Sequence, residues 1–257
     1  MDLGLADKRV MVTGATRGIG EHVARIFAEE GARVAITYNS AADEAKKLVD
    51  ELGGREKAHA VHYDLRDPRS ISDAVGSVDE RFGGIDVLVA NAHWFAWGEA
   101  VNSFEDMPLE ADDGWVAKMR ANVEGQMLTV QRVLKGMRTR GWGRIVLLSS
   151  VTARNGMVGS EYYSAARSAM HGFVRGLMWS RNGVLANVVA PGATRTDSFE
   201  HALAEVPGTS EMVAQEIEKT PSGRLSTPEE VARLIVFLGS GANGNINGEV
   251  IYVAGGR

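Results

Sequence analysis

Two stretches of this chain carry residue types and spacings that can do chemistry. In the first, Val10-Met11-Val12-Thr13-Gly14-Ala15-Thr16-Arg17-Gly18-Ile19-Gly20, an apolar run passes through three glycines into a helix-forming segment. Glycines let the backbone turn tightly and come close to a pyrophosphate. The helix that follows offers unpaired N–H groups and partial positive charge. A glycine triplet alone can be just a tight strand-to-helix turn, but its place after the first strand of a βαβ pattern points to a dinucleotide. The second stretch is Tyr163-Ser164-Ala165-Ala166-Arg167, which follows Ser150. Free tyrosine titrates near about 10, and a nearby cation favours the ionised phenol, so such a tyrosine can serve as an acid or base.

The adenosine end of a dinucleotide site carries its own signal. Sites that take NAD usually end the second strand in Asp or Glu, which accepts from the ribose 2′-hydroxyl and repels a 2′-phosphate. Here that region reads Ile36-Thr37-Tyr38-Asn39-Ser40, with no acid before Asp43. Arg17, in the glycine loop, can pair with a 2′-phosphate, and Asn39 and Ser40 can donate to it. The expectation is NADP(H) over NAD(H), with Arg17 as a merely solvated loop cation the alternative.

Elements that position these residues follow from patterning. Short apolar runs at Val10–Val12, Val34–Ile36, Ala58–Tyr63, Val87–Val89, Arg144–Leu148, Ala186–Val189 and Glu249–Val253 read as strands. Between them lie helical stretches at Gly18–Glu30, Ala41–Leu52, Pro68–Phe82, Asp112–Thr139 and Tyr163–Trp179, with another starting near Pro228. Strands apolar on both faces and separated by helices predict a parallel sheet covered on both sides, a doubly wound α/β domain of the Rossmann type. A chain of 257 residues, 44% apolar, suits one such domain. Residues 192–223 lack strand periodicity and are read as a substrate lid.

Composition excludes several classes of function. A net charge of -5 with scattered Lys and Arg leaves no basic stripe for nucleic acid. The absence of cysteine rules out disulfides, a thiolate nucleophile and a Cys-based zinc site. No leader-like or membrane-spanning apolar run is present, which predicts a soluble, cytoplasmic protein. His59 and His62 lie three apart on a strand and so face opposite ways, while His22, His171 and His201 have no ligand neighbour, so no metal site is expected. Glu105-Asp106 and the acids from Glu110 to Asp113 read as a solvated loop and helix start. Trp94, Phe95 and Trp97 suit either an aromatic substrate wall or plain loop packing. The ten methionines read as core filler, and Val123, Met127, Val130 and Leu134 as an apolar helical stripe for core or subunit packing.

With these motifs in place, the chain resembles a short-chain dehydrogenase/reductase of the 3-oxoacyl-carrier-protein reductase kind, nearly end to end. The carrying residues are Thr13-Gly14-x-x-x-Gly18-Ile19-Gly20, Asp64-Leu65, Asn91-Ala92, Asn122, Ser150, Tyr163, the position of Arg167, Pro191-Gly192 with Thr194 and Thr196, and Asn247-Gly248-Glu249 with Gly255-Gly256. The resemblance implies that Asp64 and Leu65 contact adenine and that Pro191, Gly192, Thr194 and Thr196 lie beside the nicotinamide carboxamide. It further implies that Ser150 orients the substrate oxygen, Tyr163 exchanges its proton, and Asn122 holds a water of the proton relay. The substrate is then a small carbonyl or alcohol compound. A dimer or homotetramer, built on the helices carrying Asn122 and Tyr163, is implied in the same way.

The sequence departs from that family pattern on the nicotinamide side. Arg167 stands where the family keeps lysine; it preserves the charge but is bulkier and does not lose a proton at ordinary pH. His93 replaces the glycine of the Asn-Ala-Gly motif, either as a second acid or base or as a neutral filler behind the cofactor. Trp179-Ser180-Arg181-Asn182-Gly183 is shorter than the usual loop. A Ser-Tyr-Arg trio also resembles the halohydrin dehalogenases, which process epoxides without nicotinamide, but those relatives lose the glycine loop kept here. The leading reading is therefore ketone–alcohol redox with NADP(H). Non-redox epoxide or halohydrin chemistry comes second, and a catalytically silent dinucleotide-binding protein third.

Overall fold

Seven strands form one parallel sheet in the order β3-β2-β1-β4-β5-β6-β7. The computed structural model describes residues 1–95, 104–106, 108, 112, 114–157, 159, 161–205 and 208–257. The elements run β1 (Arg9–Val12), α1 (Gly18–Glu29), β2 (Arg33–Tyr38), α2 (Ala42–Glu51), β3 (Ala58–His62), α3 (Pro68–Phe82) and β4 (Val87–Ala90). They continue with α4 (Trp115–Arg120), α5 (Gln126–Arg140), β5 (Gly143–Leu148), the single turn α6 (Thr152–Asn155), α7 (Glu161–Leu177) and β6 (Val184–Pro191). Last come α8 (Asp197–Glu205), α9 (Thr209–Lys219), α10 (Pro228–Leu238) and β7 (Val250–Val253).

Alternation along the strands explains both covered faces. Val10, Val12, Val87, Val89, Val146 and Leu148 point into one core with Val23, Phe27, Leu48, Val231 and Ile235 from α1, α2 and α10. Their neighbours Met11, Leu88, Ala90, Ile145 and Leu147 point into a second core with Ile71, Val75, Val130, Val133, Met170 and Val174 from α3, α5 and α7. Burying each such side chain contributes about 1.5–3 kcal/mol against the chain entropy. Strand order reverses between β1 and β4, the crevice where doubly wound sheets take their ligands.

Two expectations change. The long helix is interrupted: Ala121–Gly125 forms a π-turn between α4 and α5, and α4 starts at Trp115 rather than Asp112. Asn122 Nδ2 donates to the Lys118 carbonyl at 2.9 Å, and a Cβ on Gly125 would sit 2.4 Å from the Leu65 carbonyl, so the wider turn is held by a side chain and a close approach. The inserted residue shifts the helical phase downstream. Of the stripe Val123, Met127, Val130 and Leu134, Val130 is fully buried, Val123 and Leu134 are partly buried against the same core, and Met127 faces outward, while Thr129, Val133 and Met137 complete the buried face. Residues 192–223, read as a lid without strands, hold α8 and α9. Nor are the methionines uniformly core filler, since Met127 and Met212 are exposed. Of the residues singled out above, Trp97, Glu110 and Asp113 lie outside those described.

Candidate active site

The glycine loop is built around what its backbone must approach. Gly14 (φ 64°) and Gly18 (φ 59°) take the left-handed conformation. A Cβ on Gly14 would lie 3.0 Å from Ala92 Cα, and one on Gly18 would lie 3.3 Å from Thr196 Cγ2. The loop is therefore pressed between the end of β4 and the segment after β6. Thr37 Oγ1 accepts from Gly14 N at 3.0 Å, and Asn91 Nδ2 donates to the carbonyls of Thr13 and Gly14 at 3.0 and 2.8 Å. Thr13 Oγ1 accepts from both Asn91 N and Ala92 N at 3.0 Å. At the start of α1, Arg17 is extended and its side chain makes no cap, so no side chain claims the first-turn N–H groups from Gly18 to Gly20. An uncapped helix start above a Cβ-free cradle fits a dinucleotide pyrophosphate.

Around that cradle stand the other residues expected to bind a cofactor. Asn39 and Ser40 lie exposed past the end of β2, Thr16 and Arg17 lie on the loop itself, and Ile19 is in the first turn of α1. The Asp64 carboxylate is gripped through both oxygens by Arg66, which holds it below the usual carboxylate range, and the Arg66 guanidinium sits 5.1 Å from the Trp94 ring centre. The Leu65 carbonyl lies close against Gly125 of the π-turn. After β6, Gly192 packs against Ala254, Thr194 Oγ1 donates to the Gly192 carbonyl at 2.9 Å, and Thr194 bridges to Ser226. Pro191 accepts from Val151 N at 2.8 Å, tying this loop to the chain just after Ser150.

A strap joins the end of β5, just before Ser150, to α7, which carries Tyr163. The Arg167 guanidinium donates through Nη1 to the Leu148 carbonyl at 3.0 Å, while Ser149 Oγ donates to the Arg167 carbonyl at 3.1 Å. Ser150 Oγ accepts from Thr152 N at 3.2 Å, which leaves its hydroxyl hydrogen for another acceptor. The Arg167 guanidinium lies over the face of Tyr163, 4.8 Å from the ring centre, and Phe95 packs 4.6 Å from the same ring. A guanidinium there is attracted by the face of the ring.

Asn122 faces this site but is already engaged. Its Oδ1 accepts from Trp94 N, and its Nδ2 donates to the Trp94 and Lys118 carbonyls, each at 2.9 Å. It clamps the main chain of the loop that carries His93. Four residues on, Gln126 Nε2 donates to the Ala92 carbonyl. Sequence reasoning gave no site role to Gln126 or Thr37 and named Thr13 only within the glycine motif, yet all three shape the cradle. The recoverable signal was Gln126 at helical spacing from Asn122.

His93 Nδ1 lies 3.2 Å from the Asn91 carbonyl, which can only accept, so Nδ1 carries the hydrogen and Nε2 the lone pair. The residue keeps open surface although protein surrounds it, as on the floor of a cleft. Desolvation, then the Arg167 guanidinium, push its pKa down to about 4; Arg17 adds to this and the Asn91 bond opposes it. The imidazole is neutral at ordinary pH. Among the described residues, no group of three His, Asp or Glu could hold a metal, and no helix is long and apolar enough to cross a membrane.

Comparison with known proteins places this geometry. The family model described as "Enoyl-(Acyl carrier protein) reductase" matches residues 14–257. The chain is 37% identical to the 3-oxoacyl-(acyl-carrier-protein) reductase FabG of Aquifex aeolicus, covering 100% of this chain and 99% of that protein. It is 31% identical to the D-beta-hydroxybutyrate dehydrogenase of Rhizobium meliloti, covering 97% and 98%. Among solved structures, a putative gluconate dehydrogenase from Agrobacterium tumefaciens superposes with a TM-score of 0.87 at 28% identity, covering 100% and 98%. The family implies a nicotinamide dinucleotide, in agreement with the uncapped cradle. The chain thus belongs to the short-chain dehydrogenase/reductase family, as an oxidoreductase similar to the 3-oxoacyl-carrier-protein reductases.

Proposed function

We propose that this protein is an NADP(H)-dependent oxidoreductase that interconverts a ketone and a secondary alcohol, with Tyr163 as the acid and base. The dinucleotide, when bound, supplies or accepts the hydride. The chain's own residues do the rest. Ser150 donates to the substrate oxygen, and Tyr163 passes its hydroxyl proton to that oxygen as the carbon gains hydride. The phenolate then recovers a proton from solvent, and in the oxidising direction each transfer reverses. Arg167, over the ring, favours the phenolate stage. Asn122 and Gln126 are positioning residues that hold the loop from Ala92 to Trp94.

The observation carrying this reading is the uncapped, glycine-lined approach to α1, which fits a dinucleotide pyrophosphate and is the loop that the halohydrin dehalogenases lose. NADP(H) rests on Arg17, which is exposed on the loop, and on Asn39 and Ser40 in place of an acid at the end of β2. We read residues 192–223, with α8 and α9, as the segment that covers substrate, and the assembly as a homo-oligomer packed through α5 and α7. Calorimetric titration with NADPH and with NADH tests the reading. Micromolar NADPH binding with weak NADH binding is expected, and binding of neither cofactor overturns it.

A further inference from the structure

Four asparagines are followed by glycine, at Asn155-Gly156, Asn182-Gly183, Asn243-Gly244 and Asn247-Gly248. Such a pair carries a latent reaction within its own backbone. The glycine nitrogen can attack the carbonyl carbon of the asparagine side chain, and with no Cβ on the glycine little crowds the approach. Asparagine counts among the thermolabile residues. The reaction needs a free amide and a free nitrogen, and at three of the four pairs the fold withholds one or both. Asn243 is buried; its Nδ2 donates to the Leu238 and Ile246 carbonyls at 3.1 and 3.2 Å, and its Oδ1 accepts from Ile246 N at 2.9 Å. Asn247 Oδ1 accepts from Ala186 N at 2.9 Å and its Nδ2 donates to the Met178 carbonyl at 3.0 Å. Gly248 N is also engaged, donating to the Ala186 carbonyl at 2.8 Å. At Asn155 the attacking nitrogen is held, because Gly156 N donates to the Thr152 carbonyl at 2.9 Å and closes α6.

Asn182-Gly183, in the short loop between α7 and β6, differs on each count. Both residues are exposed, and among the described residues neither the Asn182 amide nor Gly183 N has a hydrogen-bond partner. Arg181 (φ 56°) and Asn182 (φ 51°) are both left-handed, a conformation that costs residues with a Cβ and holds Asn182 in place only weakly. We infer that Asn182 is a site of spontaneous deamidation, and that its isoaspartyl product loosens the start of β6. Gly183 N bonds to Asn182 Cγ, and the side-chain nitrogen leaves as ammonia, taking the Gly183 hydrogen with it. Water then opens the cyclic imide. Cleavage at Cγ gives aspartate; cleavage at the main-chain carbonyl gives isoaspartate, whose backbone runs through the former side chain and is one carbon longer. That carbon precedes a residue with no slack. The Gly183 carbonyl accepts from Gly143 N at 3.3 Å and from Arg144 Nη1 at 3.1 Å, and a Cβ on Gly183 would collide with the Gly141 carbonyl. The longer chain therefore pulls Gly183 away from the contacts that tie β6 to β5. None of this depends on the redox reading.

The test ages the purified protein in mildly alkaline buffer made with heavy-oxygen water, then maps its peptides by mass. The peptide holding Asn182 is expected to take up label at least about tenfold faster than those holding Asn155, Asn243 or Asn247, because each hydrogen bond that must break first slows ring closure. In guanidinium chloride the four should convert at similar rates, since no fold protects any of them. No label at Asn182 in the folded protein, equally fast labelling of another pair, or a lead for Asn182 that persists in denaturant overturns the inference. Aged wild type, rich in isoaspartate at this position, should melt at least about 2–4 °C below Asn182→Asp, which has the charge without the added carbon. Equal melting overturns the loosening of β6. Asn182→Gln, whose longer side chain closes a larger ring slowly, should stay unlabelled at this site and keep its Tm on ageing.

Discussion

Strand β5 has a buried arginine at each end, and the two are treated in opposite ways. Arg144, at its start, is 6% exposed and stacks over Trp142 at 4.5 Å. All three of its nitrogens are used, donating to the carbonyls of Ser240, Gly143, Gly183 and Asn243 at 2.9–3.2 Å. Arg167, strapped to the other end of β5, is 1% exposed and stacks over Tyr163, yet makes one bond and leaves Nε orphaned. Neither has a carboxylate partner among the described residues. Burial and stacking are therefore not what separates a structural cation from a functional one. The difference lies in whether the hydrogen-bonding capacity is used up by the fold: Arg144 closes a junction between β5, β6 and the turn after α10, and Arg167 keeps a donor that the described residues do not use.

Substitutions can break this contrast or sharpen it. The largest effect belongs to Tyr163→Phe, which keeps the ring under Arg167 and removes the hydroxyl. Turnover should fall by about 10²–10⁴-fold with NADPH binding intact, and near-normal turnover would remove Tyr163 from the chemistry. Arg144→Met strips donors from four carbonyls and should destabilise the fold by about 3–5 kcal/mol, lowering Tm by about 10 °C. In Arg167→Met the sign differs, because an unpaired buried charge is replaced by apolar volume. Its Tm should hold or rise by about 2–4 °C while turnover falls, and a drop as large as that of Arg144→Met would mean that both arginines are structural.

A weaker effect concerns His93. Its folded-state pKa lies below that of the unfolded chain, so the unfolded state binds a proton first as pH falls. Stability should decline between about pH 6.5 and pH 4 and level off below that, seen in urea melts across the range. His93→Gln should flatten this part of the curve, and in Arg167→Met the imidazole should titrate closer to its ordinary value by NMR. The smallest effect is expected at α10, where Thr227 and Glu230 form a capping box. Thr227→Ala should lower stability by about 1 kcal/mol, measured by denaturant melts, and leave cofactor binding unchanged.

Much of this molecule is legible along the chain. Pro68 in the first turn and Gly83 after Phe82 bound α3 where the patterning places it, because both ends are set by local backbone preference. The sheet follows from runs that are apolar on both faces, and the cradle from glycines whose positive φ is a local demand. The π-turn at Ala121–Gly125 was not legible, since its causes are a bond from Asn122 and the approach of Leu65, sixty positions earlier in the chain. The phase of the Met127 stripe was lost with it. Asn122 itself was found as a site residue, but its engagement with Trp94 depends on where the loop after β4 passes.

By itself, the sequence determined the doubly wound domain, the dinucleotide cradle and the chemical types at the site, including a guanidinium where an ammonium is usual. These are properties of periodicity, glycine placement and side-chain chemistry, which act over a few residues. Only the tertiary structure decided that Arg167 lies buried over Tyr163 with its Nε unmet while Arg144 has every nitrogen satisfied. Whether a buried donor finds an acceptor depends on carbonyls supplied by distant strands and turns, and nothing in the neighbouring sequence specifies them.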